Sequence, residues 1–213
     1  MSSAPQRQDC HHSDAPRAGG NTCDAGLDFS LHMRRLCEDM VARVDRLRHI
    51  DMARVAVSFS QARKATSHGM YASLTPMRFA GGRVHTIRRG QKWGIQRLHA
   101  ADGREMLYIL NFYLPRFLDL RFREKLSTVM HELWHVGPDF DGDVRRYGGR
   151  CFVHGSSQQR YDAHAERLVD SWLASGPPES VCEFLRYDFH GLTTRYSRVY
   201  GRKIPTPKLI RVG

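Results

Sequence analysis

A chain of 213 residues, 41% hydrophobic and 26% charged, is long enough for one domain with a real apolar core, so a metal is not required merely to fold it. No apolar run approaches the ~20 residues that span a bilayer, and the first 28 residues lack the apolar core of a signal peptide; a cytoplasmic protein with no membrane partner is expected. Five cysteines (Cys10, Cys23, Cys37, Cys151 and Cys182) form no even framework and read as reduced thiols, while a net charge of +11 implies affinity for polyanions, nucleic acid among them, without specifying the fold.

Residues 1–26 are rich in Ser, Pro, Gly, Asp and Arg and have no apolar period, which predicts a disordered arm. From residue 27 the pattern changes. Phe29, Met33, Leu36, Met40, Val44 and Leu47 recur at helical spacing, giving an amphipathic helix that ends near His49. Alternation over 54–59 predicts a half-buried strand. Two more are expected over 71–79 and 83–87, separated by Gly81 and Gly82. The run EMLYILNFYL over 105–114 is the strongest strand, closed by Pro115.

Asp119 is the expected N-cap of a helix reaching Val136, where Gly137 and Pro138 stop it. A loop rich in Gly, Asp and Arg follows to Gly155. Ser156 or Ser157 then caps a second helix running to about Ala174, before Gly176-Pro177-Pro178. The remainder, 179–213, reads as a short helix and an extended basic tail. Its cations are interleaved with Tyr196 and Tyr200, a composition suited to single-stranded nucleic acid. This order of elements predicts an α+β fold: a main domain over 27–178 and a C-terminal extension over 179–213 that packs on it or trails from it.

The chemistry lies in His131-Glu132-Leu133-Trp134-His135. Residues four apart share a helix face, so His131 and His135 can offer two imidazoles to one ion. Leu126, Val129, Met130 and Leu133 form an apolar stripe on roughly the opposite side, which would aim the histidines into a cleft. Two neutral histidines suit Zn²⁺, and a third ligand would leave one position for a water made acidic by the metal. Glu132 is then the general base for that water and the later proton donor to the leaving amine.

The third ligand is open at this level. His154 lies 19 residues beyond His135, just before the second helix. His164 and Glu166 lie within that helix, Glu166 standing in an ExxxD spacing with Asp170. Asp141 is a further carboxylate at the place where metzincin spacing would want a histidine. Asp141, Asp143, Asp162 or Asp170 could orient a liganding imidazole. Tyr161 and Tyr147 are candidate oxyanion donors, although space-filling is the commoner use of a buried tyrosine.

The run TVMHELWHVGPDFDGDVRRYGGRCFVHG, followed by SQQRYDAHAERL, resembles the SprT-like and phage-type metallopeptidases, minimal zincins, over roughly residues 105–174. His131, Glu132 and His135 match their HExxH, and His154-Gly155 matches the position of their third ligand. The resemblance implies a zincin-like fold, with a small mixed sheet, an active-site helix and a second packing helix. It also implies one Zn²⁺ held by His131, His135 and His154, and hydrolysis of peptide bonds in a protein or peptide substrate, DNA-bound proteins included. Two departures stand out: Gly137-Pro138 ends the active helix early, and the Cys-rich ribbon of some members is absent. Substrate is expected to pair with the 105–114 strand if that strand lies at the sheet edge. The rival reading is a basic nucleic-acid-associated binding protein whose zinc site is structural or vestigial.

Overall fold

The computed structural model describes residues 26–62, 69–146 and 158–213. The expected arm over 1–26 therefore lies outside the described residues, apart from Gly26. In chain order the elements are β1 (Leu27–Asp28), α1 (Phe29–Arg43), β2 (Val55–Gln61), β3 (Ala72–Pro76), β4 (His85–Arg88), β5 (Gln91–Ile95) and β6 (Tyr108–Leu114). They continue with α2 (Phe122–Trp134), α3 (Gln158–Ala174), α4 (Phe189–Tyr196), β7 (Val199–Tyr200) and β8 (Leu209–Arg211). The protein is α+β, with small sheets and helices packed on them. Among the described residues no helix is long and apolar enough to cross a membrane.

Asp28 caps α1 by accepting from the Leu31 amide at 3.0 Å. The stripe that follows (Phe29, Met33, Leu36, Met40) is buried. The Phe29 ring anchors it, meeting Phe112 and Phe117 edge-on at 5.8 and 6.2 Å. α1 stops at Arg43, and a 3₁₀ turn over Asp45–Leu47 carries the chain on, with Leu47 still in the core.

The strand order β2-β6-β3 puts β6 in the middle, parallel to β2 and antiparallel to β3. Its near-continuous apolar run follows from that place, since residues 108–112 are buried whichever way they point. This corrects the expected substrate edge, because the strand inside 105–114 has both sides occupied. The outer side of β2 is covered as well: the Phe59 amide donates to the Arg202 carbonyl, and the Ile204 amide to Ser58 Oγ. β3 is the outer strand on the other side. Tyr113 N→Tyr71 O and Met77 N→Leu107 O set the phase of its ladder, so the backbone groups of Ala72 and Leu74 face away from β6.

α2 begins at Phe122 rather than after Asp119, because the chain first makes a turn in which the Phe117 and Leu118 amides bond to Tyr113 and Pro115. Glu124 closes the helix start by accepting from the Arg121 amide, while Asp119 Oδ1 lies 3.4 Å from the Phe189 amide. Leu126, Val129, Met130 and Leu133 are fully buried, as their spacing predicts. α3 packs on α2 through Tyr161, Ala165, Leu168, Val169 and Trp172, and Trp172 Nε1 donates to Asp39 of α1 at 2.8 Å. Its expected caps, Ser156 and Ser157, lie outside the described residues. The core cluster also takes in Phe184, Leu185 and Leu192 from the C-terminal part. The last residues are not a free tail. β7 pairs with β1, and β8 joins β5 and β4 in a separate antiparallel sheet.

Candidate metal centre

α2 delivers the HExxH residues in its last turn. His135 is the residue just past the helix and keeps helical angles, its amide bonded to the Glu132 carbonyl. The early stop is built by the returning loop. The Arg145 amide donates to the His135 carbonyl at 2.7 Å, and Arg145 Nε donates to the Trp134 carbonyl at 3.0 Å, with the guanidinium 3.8 Å above the Trp134 ring. These contacts satisfy C-terminal carbonyls that another helical turn would have used. Gly137 is needed because a Cβ there would come within 2.7 Å of the Asp143 carbonyl oxygen.

The two imidazoles sit with ring centroids 4.9 Å apart, and Tyr161 of α3 lies against both, at 4.7 Å from His131 and 4.9 Å from His135. The Tyr161 hydroxyl is 2.9 Å from His135 Nδ1, and Asp162 Oδ1 is 3.3 Å from His131 Nδ1. Successive residues of one helix thus engage the same nitrogen on both rings. A metal taken by this pair would be taken at Nε2, with Nδ1 carrying the proton toward its oxygen partner, which is how outer partners orient liganding histidines. The donor set fits a borderline-soft divalent ion.

Glu132 is only 8% exposed. Burial pushes its carboxyl up to about 7, against the opposing hydrogen bond from the Leu74 amide on the outer side of β3. Beside it opens a cleft of about 400 Å³ between β3, α2 and α3. Its walls carry the carboxyl groups of Glu124, Glu132, Asp162 and Glu166, and among the described residues no Lys or Arg lines it.

The alternatives for a third ligand separate clearly. His154 lies outside the described residues, as do Tyr147 and Cys151. His164 turns to another side of α3, its ring 4.2 Å from that of Trp134. Glu166 does line the cleft, but Arg123 holds both it, at 2.9 Å, and Asp170. Asp141 accepts from the Asp143 amide and packs against Gly82. Asp143 is committed to its own loop. Burial works against its charge, yet Arg146 and the amides of Gly81 and Val144 hold its carboxyl below the usual range. Among the described residues, no three metal-ligating side chains come together.

Sequence reasoning weighed Asp162 as one orienting carboxylate among four and Tyr161 as an oxyanion donor. A space-filling ring was the commoner expectation for Tyr161, and in the structure the ring is buried with its hydroxyl facing His135 Nδ1. A signal was available: Tyr161 opens the apolar stripe continued by Ala165, Leu168, Val169 and Trp172, which turns it inward onto α2. The Leu74 amide had no such signal, since its place depends on strand order. No protein-family model, curated protein or solved structure matches this chain.

Proposed function

We propose that the chain is a zinc-dependent peptidase with a zincin-like core, resembling the SprT-like and phage-type metallopeptidases. His131 and His135, with His154 as third ligand, would hold one Zn²⁺, which when bound acidifies water and polarises the scissile carbonyl. The observation that carries this reading is the engagement of both Nδ1 atoms by Tyr161 and Asp162, beside a buried Glu132. That arrangement supports a ligand pair held in place with its proton carrier over two histidines on a solvated helix face.

In this reading Glu132 accepts the proton of the attacking water and returns it to the leaving amine. Glu132 follows His131 at the end of α2 and lines the cleft, which is the place such a proton carrier requires. Tyr161 and Asp162 are positioning residues. The outward backbone groups of Ala72 and the outward Leu74 carbonyl favour an extended peptide added alongside β3. The carboxylates of Glu124, Asp162 and Glu166 favour cationic side chains on that peptide.

The test is Glu132→Gln beside His131→Ala, read by metal content and by cleavage of an unfolded protein substrate. Glu132→Gln is expected to keep zinc and to lose hydrolysis by roughly 10²–10⁴-fold. His131→Ala is expected to lose both. Full turnover in Glu132→Gln would refute the role of Glu132, and wild-type protein that takes up no zinc on titration would refute the whole reading.

A further inference from the structure

The charge of this chain is concentrated in two segments far apart in sequence. Residues 83–100 and 198–213 together contain ten Lys and Arg and no Asp or Glu. Subtracting these ten from the 33 basic residues leaves 23 against 22 acidic ones, so the rest of the chain is nearly neutral. The pairing of β5 with β8 brings the two segments into one sheet, β4-β5-β8. All ten cations are exposed. Among the described residues only Arg97 meets a carboxylate, Glu105 at 3.5 Å.

The register sorts side chains by face. Thr86, Trp93 and Arg211 share one cross-strand row, and Arg88 and Gln91 form the next row on the same face. Arg211 donates to Gln91 Oε1 from Nε at 2.7 Å, which holds its guanidinium beside Trp93 and Arg88. The hairpin tip adds Arg89 and Gly90, both at positive φ (50° and 71°), the turn that suits a tight two-residue loop and puts Arg89 at the apex. Lys92 and a 76% exposed Ile87 lie opposite one another on the other face. In the segment leading toward β8, the Arg198 guanidinium sits 5.4 Å from the half-exposed Tyr200 ring.

We infer that the β4-β5-β8 sheet and the segment leading into β8 form a docking surface for single-stranded nucleic acid. Unpaired cations supply the phosphate contacts, and an aromatic ring framed by two arginines on one face supplies a stacking platform for unpaired bases. The surface is distinct from the acidic cleft and independent of zinc, so it survives or fails separately from the peptidase reading.

The experiment measures fluorescence anisotropy of a labelled oligothymidylate, about twenty nucleotides long, titrated with the full chain carrying Glu132→Gln, over a range of salt. The combined variant Arg88→Gln/Arg89→Gln/Arg211→Gln, which takes two cations from the Trp93 face and one from the hairpin tip, is expected to bind at least tenfold more weakly. Its log–log salt slope should fall by about two, at roughly 0.7 per lost contact. A variant with the same charge loss elsewhere (Arg35→Gln/Arg46→Gln/Arg48→Gln) should bind within about twofold of the parent, because charge outside the contact area acts only through a screened field. Quenching of tryptophan fluorescence by the oligonucleotide should largely vanish in Trp93→Phe. Circular dichroism and melting of each variant separate lost contacts from lost folding. Equal weakening by the two triple variants would overturn the proposal, as would unchanged affinity in the sheet variant. Binding of polyglutamate as tightly as the oligonucleotide, or tighter binding of duplex of the same length, would overturn the assignment of the occupant.

Discussion

The cleft beside α2 and the sheet β4-β5-β8 differ in charge, in depth and in the origin of their residues. The cleft gathers four carboxyl groups from α2 and α3, and Glu132 within it is nearly sealed from water. The sheet displays its cations on exposed strands and a hairpin tip, with apolar Ile87, Leu209 and Ile210 left among them. A net charge of +11 taken alone describes neither region. The comparison teaches that bulk charge is a poor guide to local charge: the same chain carries an acidic cleft and a basic sheet.

The division of labour proposed for them can be broken most directly at Glu132 and His131. Their variants should lose hydrolysis by orders of magnitude while leaving oligonucleotide affinity within about twofold, because neither residue lies on the sheet. If oligonucleotide binding fell in parallel, the two regions would not be separable.

The next largest effect is expected at Tyr161. Tyr161→Phe removes the hydroxyl facing His135 Nδ1 but keeps the ring against both histidines. Zinc affinity, measured by competition with a chelator, should fall about 10–100-fold, the usual cost of removing an outer hydrogen-bond partner. Asp162→Asn should cost less, since Asp162 is half exposed and its oxygen stands farther from its histidine.

A third effect sharpens the contrast in burial. In the metal-free protein the Glu132 carboxyl binds its proton more tightly when folded, at about 7, than in the unfolded chain, near the ordinary 4.5. The stability associated with the protonated group is therefore fully present below the unfolded value and lost as pH rises through the folded one. Glu132→Gln removes that loss. Metal-free Glu132→Gln should exceed wild type in denaturant stability at pH 8 by on the order of 3 kcal/mol, with the gap closing toward pH 5. A constant gap across that window would mean that Glu132 is not held protonated by burial.

The smallest effect concerns selectivity. Glu124→Gln should lower the kcat/KM ratio of a lysine-bearing over a glutamate-bearing peptide by no more than about fivefold, because a partly exposed charge contributes at most about 1 kcal/mol. An unchanged ratio would remove Glu124 from substrate preference.

Local features were legible without coordinates. The apolar stripes of α1 and α2, the strand within 105–114 and the stop at Gly137 follow from periodicity and backbone restriction, which act over a few residues. The start of α2 was misplaced, because Asp119 is a good cap whose oxygen another part of the chain uses. The substrate edge was misplaced for a related reason: an apolar run says that a strand is buried, and buried strands belong in the middle of a sheet. β5 and β8 were missed because strands of five and three residues, mostly exposed, are too short to show a period of their own.

The sequence by itself determined that His131, Glu132 and His135 share the end of one helix, since a 3.6-residue repeat is a property of the local backbone. Only the tertiary structure decided what stands against them: Tyr161 and Asp162 on the imidazoles, the Leu74 amide at Glu132, Arg145 closing the helix. It also decided that two cationic segments about a hundred residues apart are joined in one sheet. Such pairings depend on strand order and helix packing, which arise from burying apolar surface across the whole chain and leave no mark at any single position.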